Sequence, residues 1–255
     1  MRKSSYLIAL ALFGVSSTAL GQTTLPLNTG FDNSNFTVYP LPTGSGSVSD
    51  NYWIKVASSH PPGPAPAFVI NPHPAWQPPL SGGGFGSQWI SSTSPNGTSP
   101  SGQLNYAIYR KCFCLMPGYK QAQMSFKILG DDMIGVWLNS IGGNILPIQG
   151  GAFSGPAING AAYAGQFRTG RNCLYVLVVD TGSVVTGFDL AGTVSAYGLM
   201  PMASAGAAAS FKPCTCEGPA TASETATIKA LANVAKAAAS KPGPVPVQID
   251  RPRTR

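Results

Sequence analysis

Between residues 22 and 211 the chain contains no glutamate and six aspartates, against seven lysines and arginines, and charged residues make up 10% of the whole sequence. A soluble domain typically carries about 25%. Ordinary glycoside hydrolysis needs two carboxyl groups flanking the scissile bond, so this scarcity counts against it. Asp131 and Asp132 are sequence neighbours and are expected to be solvated turn acids. Histidine is as scarce: His60 and His73 lie in one proline-rich stretch with no carboxylate or cysteine at ligand spacing, and read as surface-loop residues. A G-x-S-x-G elbow and a phosphate-binding glycine loop are both missing. The expectation is a protein that is not an enzyme.

The formal net charge of +7 is unevenly placed. Arg2 and Lys3 account for two charges; residues 22–211 carry seven cations and six anions, or +1, and residues 212–255 carry seven and three, or +4. Nucleic-acid binding needs cations clustered on a folded face, and the body is nearly neutral. A nucleic-acid partner is therefore not expected. Beyond residue 21 no run approaches the roughly 20 apolar residues needed to span a bilayer, so no transmembrane segment is expected in the mature chain.

What is present begins with a leader. Arg2 and Lys3 precede an uncharged run over residues 6–15, and small residues follow, ending in Ala19-Leu20-Gly21. That order reads as a cleavable signal peptide over residues 1–21, with cleavage before Gln22. The mature chain is expected to be secreted, or held in the periplasm or at the cell surface. With no cysteine at the cleavage site, a lipoprotein anchor is not expected.

From residue 22 to 199, short apolar runs alternate with clusters of Gly, Pro, Asn and Ser, the signature of an antiparallel sandwich or barrel. Met124, Phe126 and Ile128 alternate with polar residues, Gly130-Asp131-Asp132 turns the chain, and Val136 and Leu138 alternate again. Residues 173–179 are apolar almost throughout, which predicts a strand covered on both faces. Residues 59–87 and 142–165, rich in proline, glycine and alanine, are expected to be surface loops without regular elements. A cysteine-containing linker, an alanine-rich helix and a Pro/Arg-rich basic tail fill residues 200–255. Thr221-Ala222-Ser223-Glu224 has capping-box spacing, and Ile228, Leu231, Val234 and Ala238 share one side of the helix. Its thin apolar stripe suits docking on the doubly apolar strand or on another protein.

Several ordered pieces carry a resemblance: Asn28-Thr29-Gly30, Asp50-Asn51-Tyr52-Trp53, Ser87-Gln88-Trp89-Ile90, Tyr109-Arg110 with Phe113 and Leu115, Gly130-Asp131-Asp132 with Val136-Trp137-Leu138-Asn139, Gly170-Arg171-Asn172-Cys173-Leu174, and Thr186-Gly187-Phe188. In this order they resemble secreted bacterial proteins with a galactose-binding-like domain over residues 28–198. The resemblance implies an all-β fold, a jelly-roll β-sandwich shared with many carbohydrate-binding modules, followed here by a short C-terminal helix and basic tail. Ser140 stands where the group usually has glycine, and Cys112 and Cys114 occupy strand positions that are usually polar. A shared fold implies no activity by itself.

Trp53 and Trp89 fit the strand pattern and are expected in the core. Trp76, in the proline-rich stretch, and Trp137, out of phase with Val136 and Leu138, are the candidate platforms for stacking a sugar ring. The corresponding alternatives are packing of Trp76 on its prolines and burial of Trp137 beneath a loop or the tail. Related sandwiches carry a structural calcium, for which Asp32, Asp50 and Asp131 offer oxygen ligands; no other cofactor is implied. Five cysteines in an exported chain favour disulfides. Alternation puts Cys112 and Cys114 on one strand face and leaves Cys173 outward. C-x-C neighbours do not readily close on each other, so bridges from Cys112 or Cys114 to Cys173, Cys214 or Cys216 are expected; a four-cysteine metal site from the two C-x-C pairs is the alternative. The functional expectation is an extracytoplasmic module that binds carbohydrate or a surface polymer. The alternative is a structural or assembly component of a surface or matrix layer, meeting a protein partner through its C-terminal tail.

Overall fold

Alternation of apolar and polar residues, interrupted by glycine and proline, is realised as strands throughout the body. The computed structural model describes residues 22–99, 105–182, 184–199 and 219–239. The expected signal peptide over residues 1–21, Cys214, Cys216 and the basic terminus lie outside the described residues. The strands are β1 (Gln22–Pro26), β2 (Phe31–Asp32), β3 (Thr37–Val38), β4 (Val48–Ser58), β5 (Ala65–Val69), β6 (Ser81–Gly82), β7 (Phe85–Gly86) and β8 (Ile90–Ser91). They continue with β9 (Asn105–Asp131), β10 (Met133–Leu138), β11 (Asn144–Gly150), β12 (Ile158–Ala162), β13 (Gly170–Asp180) and β14 (Gly187–Leu199), and helix α1 (Ala222–Ala239) follows.

Ten strands form one sheet, in the order β1-β14-β8-β5-β4-β9-β13-β10-β11, with β12 added on β9. An additional β14–β9 pairing closes β14, β8, β5, β4 and β9 into a five-stranded ring. The expected all-β class with one C-terminal helix is present, but the strands close as a barrel in place of a jelly-roll sandwich. The cause is the 27-residue β9. Its first part pairs β13 and β4, and its second part pairs β14 and β12, so one strand serves both sides of the closure. Pairing around the ring leaves fewer open edges, which a sheet must otherwise protect.

Inside lie Trp53, Tyr109, Phe113, Val176, Phe188 and their neighbours, all fully buried. Trp53, on β4, and Trp89, just before β8, are fully buried, as expected of both. The apolar strand β13 is covered on both faces. Leu174, Val176 and Val178 face the inner core, whereas Cys173, Tyr175, Leu177 and Val179 join a second cluster closed by Leu231 and Ala235 of α1. The helix begins with the expected capping box: the Glu224 amide donates to Thr221 Oγ1 at 3.3 Å, and the Thr221 amide donates to the Glu224 carboxylate at 3.0 Å. Its buried side runs through Glu224, Thr227, Leu231 and Ala235, with Ile228, Val234 and Ala238 only partly covered.

The two stretches read as loops carry strands: β5, β6 and β7 fall in the first, β11 and β12 in the second. Ladder partners impose extended backbone where composition disfavours it. Gly160 shows how glycine enters a strand here: a Cβ at that position would stand 2.2 Å from the Phe126 ring, so the missing side chain lets β12 lie over it.

Candidate functional site

At the end of β9 the chain turns through Gly130-Asp131-Asp132 and sets two carboxylates where several segments converge. The turn depends on backbone-to-backbone approach. Gly130 N donates to Gly151 O at 2.6 Å, and Gly151 N donates to Asp132 O at 2.7 Å. A Cβ on Gly151 would lie 2.0 Å from Gly130 O, so only glycine fits there without a shift. The Asp131–Asp132 peptide bond is cis.

Each carboxylate is held by a different neighbour. Trp76 Nε1 donates to Asp131 Oδ2 at 2.9 Å. Asp132 Oδ2 accepts from the Thr181 amide at 2.8 Å, the Thr181 hydroxyl at 2.7 Å and the Gly182 amide at 2.8 Å. Thr186 Oγ1 donates to the Asp131 carbonyl at 3.3 Å. Behind the pair, Asp180 is buried at the end of β13.

The electrostatics of the pair are asymmetric. Burial pushes the Asp131 carboxyl up to about 8, and its hydrogen bond with Asp132 and the charges of Asp132 and Asp180 push the same way, against the Trp76 donor. Burial also acts to raise Asp132, but hydrogen bonds from Asp131, Thr181 and Gly182 outweigh it and hold that carboxyl below its ordinary value. Without a cation the two acids therefore share one proton, as closely coupled carboxyls do.

Asp32 and Asp50 are elsewhere and do not join Asp131. Asp50 is fully buried, and its oxygens accept from the amides of Gly30 at 2.7 Å, Tyr52 at 2.9 Å and Trp53 at 3.1 Å. Burial raises it to about 6, and the charge of Lys111 opposes that rise. Lys111 is itself lowered to about 8 by burial and sits 5.7 Å from the Tyr52 ring centre. With amides on both oxygens and an ammonium as its countercharge, Asp50 does not fit a calcium ligand. Asp32 Oδ1 accepts from the amide and hydroxyl of Ser34 and from the Tyr52 hydroxyl, the arrangement of a turn-forming aspartate. Asp131 differs from both, because its charged neighbours are acids.

Neither candidate stacking platform presents a ring face to solvent. Trp76 is 7% exposed and stacks on Trp89 with ring centres 4.3 Å apart, while Trp89 Nε1 donates to Gln77 O at 3.0 Å. Trp137 is 3% exposed and lies in the cluster that α1 closes. Its departure from the inner-core phase reflects a second buried face. His60 and His73 are exposed.

Cys112 and Cys173, directly paired across β9 and β13, form a disulfide. Cys114 is also disulfide-bonded. Among the described residues one group of three potential metal ligands lies together: Cys112, Cys173 and Glu224. It does not fit a metal. Both sulfurs are oxidised, and the Glu224 carboxylate is balanced by Arg110 at 3.1 Å and Arg171 at 3.2 Å. The 3.3 Å approach of Cys173 Sγ to Glu224 Oε1 is a contact without a donated proton, because a disulfide sulfur carries none. The four-cysteine metal site is overturned at Cys112 for the same reason.

The fold and this corner together define a β-rich domain with a closed five-stranded ring and one docked helix. No protein-family model matches the chain, and no curated protein matches it. Among solved structures, the chain is similar to the PA14 domain of the MpAFP antifreeze protein, with 18% identity, a TM-score of 0.26, and coverage of 42% of this chain and 49% of that one. Among the described residues no helix is long and apolar enough to cross a membrane.

Proposed function

We propose that this chain is a non-catalytic extracytoplasmic binding module that recognises carbohydrate at a cell surface or in a matrix, and that it takes its ligand at the Asp131–Asp132 corner. The observation that carries the reading is the gathering of Asp131, Asp132 and Asp180 at one turn, where burial raises the Asp131 carboxyl and the neighbouring acids push it the same way. Oxygen-only donors of this kind suit a hard divalent cation such as calcium. Asp131 and Asp132 would hold it, with Asp180 adding negative charge behind them. When bound, calcium neutralises the carboxylates and accepts ligand hydroxyl groups as further oxygen donors. Trp76 holds Asp131 and Thr181 holds Asp132, so both side chains are oriented before a ligand arrives.

A hydrolytic role is disfavoured by the same geometry. Glycosidases place their acids on either side of the bond, about 5 to 9.5 Å apart, whereas these two carboxyls hydrogen-bond to each other. The disulfide accords with an oxidising compartment, and hence with export.

The test is retention on a panel of immobilised glycans and insoluble polysaccharides, with calcium and with a chelator. Retention that disappears with chelator and in Asp132→Asn supports the reading. Absence of any retention, or retention indifferent to both changes, overturns it.

A further inference from the structure

We propose that α1 guards the Cys112–Cys173 disulfide against thiol exchange, with Glu224 as its latch. The bridge lies on the outward side of β9 and β13, the side that α1 covers. Cys112 is 6% exposed and Cys173 is fully buried. Glu224 places Oε1 3.3 Å from Cys173 Sγ, while Arg110 and Arg171 of the sheet hold the same carboxylate. Thr221 closes the capping box on it, and Leu231 and Ala235 seat the rest of the helix. One side chain thus caps the start of the helix, binds it to the sheet and stands at the disulfide.

The chemistry sets what such a cover does. A thiolate of an external dithiol attacks one sulfur of the bridge, forming a mixed disulfide and expelling the other cysteine as a thiolate. The second thiol of the reagent then displaces the first cysteine. Cys112 and Cys173 each gain a proton, and the dithiol is oxidised to its own disulfide. Attack requires an anion to reach sulfur. Glu224, held in place by Arg110 and Arg171, fills that approach and blocks the thiolate by contact. Exchange therefore waits for α1 to leave, and oxidation of the bridge precedes helix docking when the chain folds.

The experiment uses the oxidised full-length chain. Dithiothreitol is added under native conditions, samples are quenched with an alkylating reagent, and modification of Cys173 is followed by peptide mass spectrometry. Hydrogen exchange over residues 222–239 reports helix docking in parallel. Glu224→Ala strands the buried Arg110 and the partly buried Arg171 and is expected to accelerate Cys173 modification at least about tenfold. Leu231→Asp undocks the helix without touching the arginines and guards against misfolding of the first variant. It is expected to accelerate modification similarly while the sheet stays protected. Helix protection lost with an unchanged Cys173 rate overturns the guard. Helix protection and Cys173 rate both unchanged in the two variants overturns the latch.

Discussion

The indole Nε1 of Trp76 donates to Asp131 Oδ2 across 2.9 Å, joining a proline-rich segment to the acidic turn at the end of β9. A tryptophan that composition nominated as a sugar platform is thereby a buried donor with its ring stacked on Trp89. Trp76→Phe keeps an aromatic ring and removes the donor. Leaving a buried acceptor without its donor costs about 1–3 kcal/mol, so urea unfolding is expected to show a loss of that order. Trp76→Ala, which also empties the ring site, is expected to cost more.

Buried acids give the fold an unusual pH dependence. Asp50 and Asp189 are both raised to about 6 by burial, above the unfolded value near 3.8. Their contribution, on the order of 3 kcal/mol each, is fully present below the unfolded value and is lost as pH rises through about 6. Asp32 and Asp132 act oppositely, since hydrogen bonds lower them and their contribution is lost below pH ~4. Calorimetry is expected to give a higher Tm near pH 4.5 than at pH 7.5, with the difference reduced in Asp189→Asn. A Tm that climbs steadily between those pH values contradicts this.

Trp137 fills the layer between β10 and α1. Trp137→Ala leaves a cavity there and is expected to cost about 3–5 kcal/mol, with hydrogen-exchange protection lost first in the helix. Equal loss of protection in α1 and β9 would show that the outer layer is not separable from the barrel.

Gly151 lies over the Gly130 carbonyl so closely that a methyl group there must displace the turn. Gly151→Ala is expected to lower stability by about 1–3 kcal/mol and to weaken ligand retention, as read by denaturation and by the polysaccharide panel. Unchanged retention would place the ligand away from this turn.

The parts of the fold that were legible in the sequence are those in which local pattern and tertiary pairing agree. Alternation at Met124, Phe126 and Ile128 marked a strand, the apolar run of β13 predicted cover on both faces, and Thr221 with Glu224 marked the start of the helix. Strand β12 was hidden because glycine and alanine dominate it and its partner β9 lies about 30 residues back, and β11 because Pro147 and the glycines flanking it read as loop. The barrel closure was hidden because it requires β9 to change partners along its length, which no local pattern encodes. Of the candidate calcium ligands, only Asp131 reaches an acidic surrounding. Asp180, 49 residues from Asp131, carried no spacing signal, and the roles of Trp76 and Glu224 depend on partners 55 and 114 residues away.

The most direct measurement is calorimetric titration of the chain with calcium, for the wild type and for Asp131→Asn and Asp132→Asn. The account predicts one site per chain with a Kd at or below about 1 mM, as in extracellular modules, and its loss in both variants while the fold persists. No binding to the wild type, or equal binding to the variants, would contradict it.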